Sequence, residues 1–497
     1  MYVNIYSYVN KYTLYISVMM SSNVKVECTD DKGRILVATK SLSAGQVIFQ
    51  EEAYVFGSWH KFRCLVCDEA HDPDTCTRVE ESFANLRISG DDCTRNSVGS
   101  GSAQKKSKYT YSEIEDALSE IEGIDELDRA RTLLKCLRIY STSEDEKDRL
   151  LSVFEELTTA NLDKCMSCAA QIRENDMLAG IIPPGVADTL LGKLISGLNT
   201  NCHTLEDIGG SGLFLSACIC EHSCVPNCNF STNRTTLTLT AVRPIKEGES
   251  LTLDYGENYY RPTEERLIDL QDSYGFVCTC PACNGEVPDK SRAFECPKSS
   301  EHLAQKHTVF PPQWKCIGCG HQLAKEVQER YEQIEARHKE DPPESLEEVK
   351  NILEEKILKK EHYLLFDCLD AIAHQIASEC VSAQDCIEQE LELLWIAIIE
   401  CIEATLPEFH FNKIIYYEQF AQIYVKLGDL DKAKEFFTKA YEMAERVVGK
   451  SELCPTTKDL ESLAANPPKT VAELMRKYQN TSKEIEEQLK FEESLQS

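Results

Sequence analysis

LFLSACICEHSCVPNCNF (213–230) leads through a short polar turn into TTLTLTAVRPIKEGESLTLDY (235–255), and DSYGFVCTCPAC (272–283) follows. The first stretch is apolar and cysteine-rich, closed by Pro226 and Asn227. The second alternates apolar and polar side chains with the period of a strand, and the turn at Lys246–Gly248 reads as the link of a strand pair. The third packs three thiols into CxCxxC. Cysteines this close together are either reduced thiols in a core or ligands for a thiophilic metal, and the spacing favours zinc.

Outward from this centre the period changes. Residues 23–57 (VKVECTDDKGRILVATKSLSAGQVIFQEEAYVF from Val24 to Phe56) read as short strands broken by Gly33 and Gly45. Residues 58–108 carry scattered cysteines and end in NSVGSGSAQKKSK, a loop composition. From 109 to 198 apolar residues recur at spacings of three and four, as in helices. Residues 325–447 are again helical, broken at Asp341–Pro343 and near Pro407. Strands flanking a helical insertion, followed by helices alone, imply an α+β domain and then an α-helical one.

The chain has 497 residues, too many for one core, and about two to four domains are expected. It carries 83 acidic against 53 basic residues, a net charge of -30. That balance argues against direct nucleic-acid binding and suits either a solvated surface or a basic partner. No stretch approaches membrane-spanning length, so no membrane contact is expected. The first 22 residues lack a basic start and a clean apolar run and read as an extension, with Met19 or Met20 as alternative starts. The 24 cysteines are therefore expected to be reduced, in the cytoplasm and/or nucleus.

EHSCVPN (221–227), GESLTLDY (248–255) and CTCPAC (278–283), in that order, resemble a SET-domain lysine methyltransferase, and the interrupted layout resembles the SET and MYND (SMYD) family. The resemblance runs from about Val24 onward. It implies a SET-domain β-fold split by a cysteine module and a helical insert, then a post-SET zinc module and a C-terminal TPR-like domain. In residue ranges it implies an extension (1–22), an N-terminal SET lobe (23–57), a degenerate MYND-like module and loop (58–108), and a helical insert (109–198). Core SET (199–257), a post-SET zinc module (258–290), a zinc-ribbon-like segment (291–324) and the TPR-like helices (325–497) follow. The core motifs of the family thread through one another, an exception among folds.

The resemblance also implies the chemistry, transfer of a methyl group from S-adenosylmethionine to a lysine of a histone or other protein. Tyr255 takes the position of the tyrosine at the lysine channel; a plain core tyrosine is the alternative. Lys32, Gly33 and Arg34 match the loop that wraps the cofactor. Asn201, Glu221 and His222 match its pocket, and Phe276 and Tyr274 match aromatics that stack on the adenine and wall the channel. Cys224, Cys278, Cys280 and Cys283 match a structural zinc site. Two departures weigh against activity: Glu221 stands where the family has Asn, and Ile35 where it has a second glycine that can take positive φ. They leave open a catalytically weak homologue that acts as an interaction scaffold.

The MYND-like module keeps zinc spacing only at Cys64 and Cys67, so at most one of the family's paired sites remains. Cys165 and Cys168 read as core. Cys316 and Cys319 (WKCIGCGH) offer half of a zinc ribbon, with Cys296 and either His302 or His307 to complete it. Tyr416–Glu445 resembles a tetratricopeptide repeat, with Ala421, Tyr424, Gly428, Ala433, Phe437 and Ala440 at its packing positions. One repeat cannot stand alone, so neighbouring helices must flank it, as a lid or as a docking face for protein partners. A monomer is expected.

Overall fold

The computed structural model describes residues 22–29, 33–59, 111–124, 126–205, 208–256, 260–287, 289–307, 313–379, 390–452 and 454–478. Residues 60–108 of the MYND-like module, with Cys64 and Cys67, residues 1–21 of the N-terminal extension and Lys32 lie outside the described residues.

Strands β1 (Val24–Thr29) and β2 (Gly33–Ala38) form an antiparallel pair, and β3 (Val47–Glu52) and β4 (Val55–Ser58) follow. After the helical insert come β5 (Cys202–Leu205), β6 (Gly210–Leu213), β7 (Glu221–His222), β8 (Cys228–Asn233), β9 (Thr236–Ala241) and β10 (Thr252–Leu253). Three-stranded sheets of order β3-β9-β8 and β4-β6-β5 interleave the two halves of the sequence across the insert.

The turn at Lys246–Gly248 does not make a hairpin of its flanks. β9 pairs with β3 and β8, whereas the segment after the turn is held by β2, with Leu251 N–H donating to Leu36 O at 2.8 Å, and by β7. Alternation in β9 reports its faces and not its partner. Leu237 and Leu239 enter the core of the strand domain with Leu36, Ile48 and Phe214. Thr240, on the opposite face, is buried beside Gly449 at the end of a C-terminal helix.

Helices Tyr111–Ser119, Leu127–Thr142, Glu144–Glu156, Leu162–Glu174 and Asp188–Asn201 build the insert around Leu133, Leu137, Leu150, Phe154, Leu191 and Leu194. Cys165 and Cys168 are buried in this core, as their spacing of one helical turn implied. Arg131, fully buried, forks onto Glu115 (2.6 and 3.1 Å) and donates to Ser58 O at 3.1 Å, which ties the insert to β4. The two-pronged geometry is what makes so dry an ion pair tolerable.

Helices Lys325–Glu340, Leu346–Glu354, Tyr363–Glu379, Leu391–Thr405, Phe411–Leu427, Leu430–Val447 and Pro455–Ala465 form the C-terminal unit. Ala421, Ala433, Phe437 and Ala440 are fully buried, small residues letting 411–427 and 430–447 approach while Phe437 fills the gap. Helix 430–447 also lies against β8 and β9, and Ser231 donates to Val448 O at 2.9 Å, so the helical unit rests on the β3-β9-β8 sheet. No helix among the described residues is long and apolar enough to cross a membrane.

Candidate active site and zinc centre

Tyr255 packs at once against the core of the strand domain and against a small cluster built on Cys224, Cys278, Cys280 and Cys283. One ligand atom from each of these four buried cysteines lies within 4.8 Å of the others. Cys224 and Cys283 sulfurs stand 3.6 Å apart. Thiolates about 2.3 Å from a tetrahedral zinc are expected about 3.8 Å apart, so the donor set and its spacing fit zinc. Hydrogen bonding from Cys224 is the main cause that holds Cys278 below the usual thiol range and brings Cys280 down to about 5. The same hydrogen-bond network raises Cys224 and Cys283 above that range, so the four thiols share their protons until a metal displaces them.

Four thiolates around a divalent ion leave net negative charge in a buried place. Arg266, itself buried, answers it. Burial works against its guanidinium, but Asp289, Cys224 and Cys283 outweigh burial and raise its pKa. Arg266 went unnoticed in the sequence, although Thr263, Arg266 and Leu270 are spaced as the buried face of helix Thr263–Tyr274.

The zinc centre and the phenol are joined by His222. Tyr255 N–H donates to His222 Nδ1 at 3.1 Å, which leaves the ring proton of the neutral imidazole on Nε2. Nε2 faces the Cys224 sulfur at 3.3 Å and donates to it. The imidazole that the motif assigned to the pocket wall therefore also bridges the metal ligand to the backbone of Tyr255. Position i and i+2 of an extended chain share a face, so the pairing of His222 with Cys224 was readable in EHSC.

Gly275 takes left-handed backbone (φ 76) and caps the helix that ends at Tyr274. The chain reverses there, so Tyr274 and Phe276 both meet Tyr255, with ring centroids at 5.1 and 6.3 Å. Phe276 lies 5.8 Å from the His222 ring. Tyr274 donates to Tyr255 O at 2.9 Å. The Tyr255 hydroxyl donates to Cys220 O, which directs its lone pairs away from that carbonyl. Burial, then Cys220 and Cys218, pushes the Tyr255 phenol far above the ordinary tyrosine range, so it stays protonated.

The other site residues are less closely bound to this cluster. Glu221 is half-buried on β7, where its N–H donates to Leu251 O at 3.1 Å. Asn201 ends helix 188–201; its amide nitrogen donates to Thr158 O and Gly197 O, both at 2.8 Å, so Oδ1 is its group able to accept from a ligand. Gly33 opens β2 at φ 69, and the Arg34 guanidinium reaches Glu156 at the end of an insert helix. Ile35 lies in β2, paired with Glu27 and buried, and is absent from the positive-φ residues of the described chain. The strain expected from losing a second glycine does not arise.

A family model described as the SET domain matches residues 33–256, and one described as a tetratricopeptide repeat matches 415–446. Among curated proteins, Histone-lysine N-methyltransferase SMYD3 of Mus musculus is 27% identical over 280 residues, 54% of this chain and 63% of its own. The chain thus spans under two-thirds of that relative. N-lysine methyltransferase SMYD2-A of Danio rerio is 24% identical over 419 residues, 80% of this chain and 86% of its own. Protein-lysine N-trimethyltransferase SMYD5 of Mus musculus is 34% identical over 106 residues, 20% of this chain and 26% of its own. A solved structure described as the SET domain of LSMT bound to lysine and AdoHcy aligns over 95% of both chains at 13% identity, with a TM-score of 0.33, a likeness too loose to place side chains.

Proposed function

We propose that this chain, which belongs to the SET and MYND (SMYD) family, is a protein-lysine N-methyltransferase that uses S-adenosylmethionine. The observation that carries the reading is the seam at Tyr255. A buried phenol, two further aromatic rings and a histidine tied to a four-thiol cluster converge there. S-adenosylmethionine supplies a methyl group on a sulfonium, which needs no further activation as a leaving group.

What remains for the protein is orientation and dryness. Tyr255, with its proton committed to Cys220 O, offers an oxygen that accepts from a lysine amine and holds its lone pair in line. Being protonated, it is no general base, so the amine must arrive neutral, and desolvation among Tyr255, Tyr274 and Phe276 favours that form. Asn201 Oδ1 and the Glu221 carboxylate are acceptors suited to an ammonium at the amino-acid end of the cofactor. The acidic surface suits a basic protein substrate such as a histone, and the C-terminal helices offer a face for protein partners. Thiolate zinc ligands need reducing surroundings, which supports the cytoplasm and/or nucleus.

Glu221 in place of Asn is the one feature that favours the scaffold reading. Calorimetric titration with S-adenosylmethionine separates the two. The enzyme reading expects micromolar-range binding that weakens about 10–100-fold in Asn201→Ala, the loss of one hydrogen bond to a charged group. Absence of binding to folded, zinc-loaded wild type would leave the scaffold.

A further inference from the structure

We infer that Cys296, His302, Cys316 and Cys319 form a second zinc site, a three-thiolate, one-imidazole centre that holds a small β-ribbon against the helical unit. The ribbon is the antiparallel sheet β11 (Phe294–Cys296), β12 (Ser299–His307) and β13 (Gln313–Cys316). Cys296 closes β11 opposite Ser299, and Ala304 pairs with Cys316, so the register brings the first cysteine and the CxxC turn to one end of the sheet.

That turn has the form of a metal knuckle. Cys319 N–H points at the Cys316 sulfur (3.3 Å), Gly320 N–H donates to Cys316 O (2.9 Å), and Gly320 supplies the left-handed residue (φ 68) that completes it. The sulfurs of Cys296, Cys316 and Cys319 all lie within 4.8 Å of one another. Cys296 and Cys319 are 3.8 Å apart, the separation of two ligands on a tetrahedral zinc and far beyond a disulfide of about 2.0 Å.

Three thiols need a fourth donor; neither ring nitrogen of His302 lies within 4.8 Å of all three sulfurs, but its ring stands against the knuckle. Its ring lies on Gly318, inside the knuckle, so close that a Cβ there would come within 2.6 Å of Cδ2 and Cγ. Its Nδ1 is buried and has no hydrogen-bond partner in the structure, and the ring interacts with Cys319. A buried ring nitrogen left without a partner is costly in a metal-free site and is accounted for by coordination.

What the centre would secure is visible beside it. Phe294, fully buried, stacks on Tyr331 (5.1 Å) and meets Trp314 edge-on (5.0 Å). Glu295 N–H donates to Ile357 O at 2.8 Å, and Tyr331 donates to Glu295 O at 2.6 Å. The ribbon thus forms one end of the helical unit's own core, with Trp314, Leu323 and Ala304 in the same cluster. It is separate from Cys224, Cys278, Cys280 and Cys283 and does not depend on methyl transfer.

The test is zinc content by mass spectrometry of the full chain, with cobalt(II) as a spectroscopic stand-in. The double variant Cys316→Ser/Cys319→Ser is expected to hold one zinc fewer per chain than wild type and to melt at lower temperature. His302→Ala is expected to lose the same zinc, and His302→Cys to retain it while moving the cobalt d–d bands to lower energy, as a fourth thiolate replaces a nitrogen. His302→Cys also guards against a double variant that fails to fold. Unchanged zinc in the double variant would overturn the site. Wild-type zinc content and cobalt spectrum in both His302 variants would overturn the ligand set.

Discussion

Replacing Tyr255 by Phe should reduce kcat for lysine methylation about 10²–10³-fold while leaving S-adenosylmethionine binding within a few-fold of wild type. The hydroxyl donates to Cys220 O and presents its lone pairs to the channel; Phe keeps the ring contacts with His222, Tyr274 and Phe276 and removes only that oxygen. Losing one preorganised polar group that acts mainly in the transition state carries a cost of this order. The backbone contacts Tyr255 N–H to His222 and Tyr274 to Tyr255 O do not involve the hydroxyl, so the fold should hold. The pH dependence is a second readout. Because the phenol stays protonated, the rate should rise with pH as the substrate lysine loses its proton, and Tyr255→Phe should keep the shape of that rise at lower amplitude. Single-turnover rates across pH for both proteins check the pair of expectations; a rise abolished in the variant would make the phenol the base instead.

The second large effect is metal loss at the post-SET centre. Structural zinc sites contribute on the order of 10 kcal/mol, as much as the whole net stability of many domains. Cys280→Ser should therefore lose one zinc per chain and leave 276–283 without its clamp. Tyr274 and Phe276 sit four and two residues before Cys278, and Cys224, which receives the His222 Nε2 proton, is no longer held by the metal. Misplacing groups by an ångström or so costs about 10²-fold, so at least that loss of methylation is expected. The C-terminal helices have their own core and should keep their helical circular dichroism. Methylation and zinc content measured together check this; full activity in a protein that has lost the metal would separate the zinc from catalysis.

The parts of the site that were legible in the sequence are the local ones. CxCxxC places three sulfurs by short-range geometry, and EHSC needs only its neighbours to set His222 beside Cys224. The C-terminal repeat was legible for the same reason, since its small and large residues meet at fixed helical offsets. Long-range pairing was not. The alternation of 236–253 gave the faces of β9 and β10 correctly but not their partners, β3 and β8 for one and β7 for the other, because a period of two carries no address. Ile35 shows a converse limit. Its loss of a glycine looked costly only on the assumption of a loop, and β2 already extends through it. Arg266 and Cys220 act through the space around Cys224 and Tyr255, and only the folded chain brings them there.

The most direct measurement is transfer of labelled methyl from S-adenosylmethionine by zinc-loaded wild-type chain to a panel of core histones and lysate proteins, read out as N-methyl-lysine after hydrolysis. The account predicts label on lysine Nε, reduced about 10²–10³-fold by Tyr255→Phe. No labelled lysine from a folded, zinc-loaded protein, or label that persists undiminished without the Tyr255 hydroxyl, would contradict it.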